Sequence, residues 1–288
     1  MSQAAAYRRR VAAPAVRRGL SRALVHTVAL VVAAIVIVPL AYAVLGGFRT
    51  TGELAAQPVA LPRDWITANY TQVLASTAFW LALLNSVVIA VVATAVVVSF
   101  GALAAFPLAR FDFRGREVLY TVFTLGLLFP VGVAVLPLYI LLRDVNLLDS
   151  WLGVALPEAA FGLPLTIVIL RPFMRAVPTE LEDAAVIDGC SRFGFFWRIL
   201  VPLSLPALST VSIIAFVGSW NAFLLPLLVL GGPDHWTLPL GVANFQSEHS
   251  QNTAIILAYT ALSMVPALGF FVLAERRIVG GLSGAVKG

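Results

Sequence analysis

The sequence predicts an all-α integral membrane protein with six transmembrane helices and both termini in the cytoplasm. Three observations predict this fold class. The chain is 60% hydrophobic with a mean hydropathy of +0.94, its charged residues leave long apolar stretches between them, and its basic residues are distributed unequally among the loops. A transmembrane helix needs roughly 20 mainly apolar residues. Helices are expected because each segment in a bilayer must satisfy its own backbone amides.

Six stretches between charged residues are long enough to cross a bilayer, and only one of them is interrupted, by Glu158. The apolar runs do not alternate with polar residues as the strands of a barrel would. Prolines lie within most of the stretches and can kink the helices. The predicted transmembrane helices cover about 25–47, 80–107, 118–142, 151–171, 205–230 and 254–275.

The basic residues set the predicted orientation. Of the 19 lysines and arginines, 16 lie in the N-terminal tail, in 110–116, in 171–198 or near the C-terminus, and only Arg49, Arg63 and Arg143 lie on the other side. The positive-inside rule places the larger group in the cytoplasm. The net charge of +5 therefore reflects topology and does not indicate nucleic-acid binding.

The N-terminal residues 1–24 are interpreted as a disordered, basic cytoplasmic tail, and 25–288 as the transmembrane domain. The first apolar run is longer than the roughly 7–15-residue core of a cleaved signal peptide, so we expect a retained helix. The single cysteine, Cys190, excludes an internal disulfide.

One charged stretch, TELEDAAVIDGCSRFGFFWR at 179–198, lies between two long apolar runs. Thr179 and Glu182 have the spacing of a capping box, in which each side chain bonds the other residue's amide. Gly189 is suited to end this helix in a left-handed conformation. Ser191 can cap a second helix. The stretch therefore predicts two short helices joined by a glycine turn at the cytoplasmic surface.

The second short helix carries a predicted aromatic stripe, because four bulky residues recur at helical spacing. These are Phe193, Phe196, Trp197 and Leu200. The stripe can dock into a groove on a cytoplasmic partner, or it can pack beneath its own helix bundle or lie in the lipid interface. The residue pattern leaves these alternatives open.

The charged stretch resembles the EAA loop of ABC-importer permeases, in which E-A-A, three residues, G and nine residues precede I-x-L-P. Here D-A-A-V-I-D-G is followed by nine residues and then I-L-V-P. Asp183 replaces the family glutamate, and Glu182 lies one position earlier, so which acid makes the family's contact is open. The resemblance implies an ATPase-coupling role for Glu182, Asp183, Ala184, Ala185, Asp188, Gly189, Arg192, Ile199 and Pro202.

Other stretches resemble the carbohydrate branch of these permeases. They are NSVVIA at 85–90, SWNAFLLPLLVL at 219–230 and the C-terminal RRIVGGLSGAVKG. The chain is most similar to the second permease of maltose-type systems. This resemblance implies an ABC type-1 importer permease fold with a core at about 80–275 and an EAA coupling loop at 178–202.

The resemblance also implies the partners. These are a second homologous permease, two ATPase subunits or domains, an extracellular solute-binding protein and the lipid bilayer of a prokaryotic plasma membrane, with no nucleic acid. The chain has no G-x-x-x-x-G-K-[ST] motif, so ATP and Mg²⁺ are expected on the partner ATPase. We accordingly expect no catalytic residue, no cofactor and no enzyme activity in this chain.

Three further residues are candidates for the pathway or the substrate. Glu158 is ionisable within a predicted span, which favours a functional role. Trp220 and Asn221 can stack on and hydrogen-bond a sugar. The histidines lack metal-ligand spacing, so no metal site is predicted, and the outer loop 231–253 is a candidate contact for the binding protein.

Two other functions remain as alternatives. An ion-coupled secondary transporter would favour inverted repeats and several intramembrane charges, whereas the sequence has one candidate acid and no evident repeat. A membrane scaffold or signalling protein that transports nothing is the third alternative.

Overall fold

The computed structural model describes residues 3–249 and 251–285, with the side chains of 24–246, 248–249 and 251–271. Every regular element within those ranges is helical, which confirms the all-α class. Besides α-helices, the described residues form a π-helical turn, Phe196–Leu200, and a 3₁₀ turn, Pro233–His235. The described α-helices are α1 Gln3–Gly46, α2 Thr51–Ala56, α3 Ala68–Ala75, α4 Thr77–Arg110, α5 Arg116–Gly126, α6 Val131–Asp144, α7 Trp151–Arg175, α8 Thr179–Ile187, α9 Arg192–Phe195, α10 Val201–Leu203, α11 Leu205–Trp220, α12 Leu224–Val229, α13 Leu238–Glu248 and α14 Thr253–Ala285.

Four described helices are long and apolar enough to cross a bilayer. Two further helix pairs are bent, and each pair can count as one span, so length and composition give four to six spans. The predicted six spans and the cytoplasmic termini therefore stay predictions. The four single helices are Leu24–Gly46, Thr77–Arg110, Trp151–Arg175 and Thr253–Phe271, and the bent pairs are Arg116–Gly126 with Val131–Asp144 and Arg192–Leu203 with Leu205–Trp220.

The third predicted helix, 118–142, is wrong as a single helix, because α5 and α6 meet at 95°. The helix α5 ends at Gly126, four residues before Pro130. In a continuous helix the Pro130 ring would clash with the Gly126 carbonyl and leave it without its hydrogen bond.

The fifth predicted helix, 205–230, is also wrong as a single helix. The helix α11 ends at Trp220, and the short α12 follows it. Pro226 lacks the amide hydrogen that would bond the Ala222 carbonyl in a continuous helix.

The two terminal helices are longer than predicted. The backbone of α1 is helical from Gln3, where the sequence predicted disorder. Alanine and arginine, which are frequent in this segment, are strong helix formers. The last helix continues to Ala285, beyond the predicted end at 275. The cytoplasmic placement of the tail stays a prediction.

The chain divides into two compact units. The first comprises Met1–Thr71 and Gln251–Ala261. Its buried Arg49 donates hydrogen bonds to the carbonyls of Glu53, Gln57 and Pro58 at 2.9, 2.7 and 3.2 Å. A capping box between Thr50 and Glu53 begins α2, although the sequence analysis placed no helix there.

The second unit comprises Gln72–Ser250 and Leu262–Gly288. Two apolar clusters lie among its described residues, and α4 and α7 contribute to both. The first cluster lies where α4 and α7 meet α8, α9 and the π turn. The second joins them to α6, α12 and α13. Alanines recur on the buried side of α4 and allow the helices to approach closely.

A buried arginine fastens the C-terminal end of α7 to its neighbours. Nε of Arg171 donates to the carbonyl of Leu108 at 3.0 Å, and Nη2 forms an ion pair with Glu117. The guanidinium also lies over the Tyr120 ring at 3.9 Å. Arg171 therefore joins α7 to both α4 and α5.

We expect Arg171→Lys to lower the thermal unfolding midpoint of the detergent-solubilised protein by several degrees. Lysine keeps the charge, but its ammonium cannot stack on the Tyr120 ring while it bonds both Leu108 and Glu117. We expect the free energy of unfolding to fall by roughly 1–3 kcal/mol. Arg175→Lys makes the same change at an exposed position on the same helix end and should leave the midpoint unchanged. Equal midpoints for the two variants, measured by tryptophan fluorescence, would contradict the fastening role.

Candidate functional site

The candidate site is the hairpin of residues 178–202, formed by α8, the π turn and the short helices beside it. The helix α8 ends as predicted, because Gly189 has a φ of +75°. The Gly189 amide donates to the Val186 carbonyl at 3.0 Å, and the Cys190 amide donates to the Ala185 carbonyl at 2.8 Å. This pair of bonds is the Schellman motif. Ser191 caps α9 as predicted, with its Oγ accepting from the Gly194 amide at 3.1 Å.

The predicted capping box at the start of α8 is wrong. The cap position is Pro178, and no side chain caps the helix. The Glu182 carboxylate instead binds Arg110, whose Nε and Nη2 both lie 2.8 Å from its Oε2. A carboxylate bonds a guanidinium more strongly than a neutral amide, so the ion pair replaces the cap.

Arg110 is the last residue of α4, and its side chain is only 3% exposed. Besides Glu182, it donates from Nη1 to the carbonyl of Val177 at 2.6 Å. Its guanidinium carbon lies 5.7 Å from the centre of the Phe195 ring. One arginine thus contacts α8, the connection before it and α9, and attaches the hairpin to α4.

The four residues of the predicted aromatic stripe do not share one environment. Phe196 and Leu200 are buried, whereas Phe193 and Trp197 are 60% and 50% exposed. Phe195, which the stripe omitted, is buried. The π turn bonds residues five apart, so an α-helical period does not continue through it. Phe196 and Leu200 therefore pack on the bundle, whereas a partner groove and the lipid interface both stay open for the exposed Phe193 and Trp197.

The remainder of the hairpin also has a buried side and an exposed side. Ala185 packs into the apolar cluster with α4 and α7. Ile187 is 86% exposed, an unusual position for a large apolar side chain. We define the exposed face of the hairpin as Leu181, Asp183, Ala184, Val186, Ile187, Asp188, Phe193 and Trp197.

The sequence left open whether Glu182 or Asp183 makes the family's contact, and the structure places these two acids in different environments. Glu182 forms an ion pair with Arg110, whereas the side chain of Asp183 is exposed. Among the other predicted coupling residues, Arg192 lies over the Phe111 ring at 4.7 Å and Ile199 is half-buried. Exposed coupling residues are Asp183, Ala184, Asp188, Gly189, Arg192 and Pro202.

A cavity of about 370 Å³ lies among α4, α6, α7, α11 and α12, away from the hairpin. Its walls are mostly apolar and include Phe161 and Phe223. Glu158 lines it, and its Oε2 accepts a hydrogen bond from Ser219. Its Oε1 is buried and has no hydrogen-bond partner among the described residues.

Trp220 and Asn221 do not line this cavity. Trp220 is buried, and its ring stacks on Phe216 with centres 5.7 Å apart. The Asn221 amide donates to the carbonyl of Val217 at 2.8 Å, within its own helix end. Both side chains therefore make contacts outside the cavity that Glu158 lines, and their part in a pathway stays a prediction.

A second polar cluster, which the sequence analysis did not identify, is formed by Asn85 and Ser86 of α4. Nδ2 of Asn85 donates to the carbonyls of Asp234 and Trp236 at 2.8 and 3.0 Å. Oγ of Ser86 accepts from the Leu238 amide at 2.7 Å. Both side chains are buried. The sequence did carry a signal for this cluster, namely two adjacent polar residues inside an apolar helix. Polar side chains in such a helix usually bond to a neighbouring element.

The apolar helices and the attached hairpin define the class: an all-helical, multi-pass membrane protein. Residues 97–278 match the sequence model of the family described as binding-protein-dependent transport system inner membrane component. The chain belongs to this family.

Several curated relatives are named as sugar permeases. The chain is 35% identical to a diacetylchitobiose uptake system permease of Streptomyces coelicolor, over 91% of this chain and 87% of the relative. It is 38% identical to a trehalose transport system permease of Mycobacterium tuberculosis, over 76% and 81%. It is 32% identical to an arabinooligosaccharide transport system permease of Halalkalibacterium halodurans, over 89% and 93%.

The fold matches a chain of a bacterial ABC transporter involved in the import of the acidic polysaccharide alginate. The TM-score is 0.77 with 21% sequence identity, over 90% of this chain and 97% of that one. This similarity establishes the importer permease fold for the chain.

We expect Gly189→Ala to destabilise α8 locally. No atom lies within 4 Å of an added Cβ, so the left-handed φ alone costs roughly 1–2 kcal/mol. Hydrogen exchange of the α8 amides should accelerate about 5- to 30-fold, and Gly189→Asn should accelerate it less because asparagine tolerates this conformation.

Gly132→Ala provides the control, because it adds a Cβ in open space at a helical φ. Unchanged exchange of the α8 amides in Gly189→Ala would contradict the structural role of the turn.

Proposed function

We propose that this chain is one of two permease subunits of an ATP-driven, binding-protein-dependent sugar importer, and that its hairpin couples it to a separate ATPase. The observation that carries this proposal is the two-sided hairpin. One side is attached to the membrane helices by Arg110 and buried aromatic residues, and the other side exposes acidic and apolar groups.

The exposed face suits a cleft on a protein partner. Ile187 and Trp197 offer apolar surface, and Ala184 allows close approach. Apolar side chains that are exposed together typically mark contact sites. Asp183 and Asp188 add negative charge that can meet basic groups of the ATPase. Because Glu182 is bound by Arg110, we assign the contact with the ATPase to Asp183.

The buried side provides the route by which ATPase closure moves the membrane helices. Phe195, Phe196 and Leu200 are fully or almost fully buried against α4 and α7. A close-packed core transmits displacement because it has little free volume in which to absorb it. ATP and Mg²⁺ bind the partner, since the sequence contains no P-loop motif.

The remaining partners follow from the family and from exposed surface. The span Leu24–Gly46 exposes most of its apolar side chains, which suits lipid or a second permease. Segment 231–253 is the candidate contact for an extracellular binding protein. The location proposed is the plasma membrane of a prokaryote.

The substrate class follows from the relatives, which are named for sugars and oligosaccharides. The Glu158 cavity is a candidate part of the pathway. Its Oε1, which has no partner in the part of the chain that the structure describes, can accept a hydrogen bond from a hydroxyl, and Phe161 and Phe223 offer rings to the apolar face of a sugar.

The alternative is an ion-coupled secondary transporter, and Glu158 is the observation that favours it. A carboxylate in a membrane cavity can bind a proton or a cation. ATP dependence and ion-gradient dependence separate the two functions.

Reconstitution of the chain with a homologous permease, an ATPase and a solute-binding protein from the same organism tests the proposal. In proteoliposomes, we expect uptake of a labelled sugar from a panel of diacetylchitobiose, arabino-oligosaccharides and trehalose. Uptake should need internal ATP and external binding protein, and a protonophore should not change it. Uptake that needs an ion gradient and no ATP would favour the alternative.

Asp183→Lys tests the hairpin contact itself. We expect at least about tenfold less co-purified ATPase. Charge reversal replaces an attraction by a repulsion, and a tenfold loss corresponds to a change in binding free energy of roughly 1.4 kcal/mol. Asp144→Lys makes the same change in an exposed acid outside the hairpin and should retain the ATPase. Equal recovery of the ATPase with both variants would refute the assignment of Asp183.

A further inference from the structure

Helix α4 has, near each end, polar side chains that bond another segment of the chain; we call these two groups anchors. In its N-terminal third, Asn85 and Ser86 bond the backbone of segment 231–238. At its last residue, Arg110 bonds the hairpin. One helix thus bonds both segment 231–238 and the hairpin.

Helix α7 is fastened to α4 close to both anchors. Nε1 of Trp151, the first residue of α7, donates to Oδ1 of Asn85 at 2.9 Å. Near the other end, Nε of Arg171 donates to the carbonyl of Leu108 at 3.0 Å. Between these bonds the helices are in close contact, since a Cβ on Gly101 would collide with Thr166.

Both anchors lie on the single helix Thr77–Arg110, whose one internal proline, Pro107, lies within the last turn. Asn85 and Arg110 are 25 positions apart, or roughly 38 Å at about 1.5 Å per residue.

Helix α7 contains Pro157, Pro164 and Pro172, each of which removes an intrahelical bond, so its stiffness depends on packing against α4. Two packed helices can bend together only if one slides along the other. Bonds at both ends and interdigitated side chains oppose such sliding.

We propose that α4 and α7 form a rigid two-helix beam that transmits displacement between segment 231–238 and the hairpin. The inference rests on the proposed function for the identity of the partners at the two ends, the binding protein and the ATPase. A displacement that the binding protein causes at segment 231–238 then reaches the hairpin through α4, and the reverse holds for ATPase closure.

The test introduces flexibility into α4 without touching either anchor. Val91 and Ala95 are exposed and lie outside the cavity lining. In the reconstituted complex, Val91→Gly combined with Ala95→Gly should reduce the stimulation of ATPase activity by sugar-loaded binding protein at least fivefold. Glycine in a helix interior leaves the backbone more conformational freedom than alanine does. Basal ATPase activity and co-purification of the ATPase should not change.

Val91→Ala is the matched control and should keep stimulation within twofold of the native complex. If the double-glycine variant does not assemble, Trp151→Phe replaces it with the same expected loss, since it removes the bond between α7 and Asn85 but leaves the bonds from Asn85 to segment 231–238. Full stimulation in an assembled variant overturns the beam. A native complex that binding protein does not stimulate overturns the proposed function and, with it, this inference.

Discussion

The ion pair between Arg110 and Glu182 determines where the hairpin lies. Arg110 is almost completely buried, and a buried charge is tolerated only when it is paired and hydrogen-bonded. Its partners come from 67 and 72 residues further along the chain. Loss of Glu182 would leave the guanidinium uncompensated, a larger effect than the loss of a surface ion pair. The ion pair therefore holds the hairpin against the end of α4.

This attachment explains why a charged segment occurs between long apolar helices. Its inner side contributes Ala185, Phe195 and Leu200 to the core. Its outer side exposes Asp183, as is usual for an acid, and Ile187, a large apolar side chain that more often lies covered. The same segment thus has a buried side that attaches it to the helices and an exposed side, the two features that the proposed coupling to a separate ATPase needs.

The sequence predicted the features that depend on neighbouring residues. Gly189 and Ser191 act within one turn of the chain, and both predictions are confirmed. It did not predict the partner of Glu182, because no local pattern indicates a bond to a residue 72 positions away. Prolines were equally ambiguous: Pro130 interrupts a span, whereas Pro157 lies inside α7 without ending it. Tertiary packing decides between these outcomes.

Cross-linking from the most exposed large apolar residue of the hairpin tests the central claim most directly. Ile187→Cys in a Cys190→Ser background provides one thiol on the exposed face. The account predicts that this thiol is modified only from the cytoplasmic side of native membranes, and that a short bifunctional reagent joins it to a nucleotide-hydrolysing subunit. Modification from the external side, or the absence of that cross-linked product in an intact complex, would contradict it.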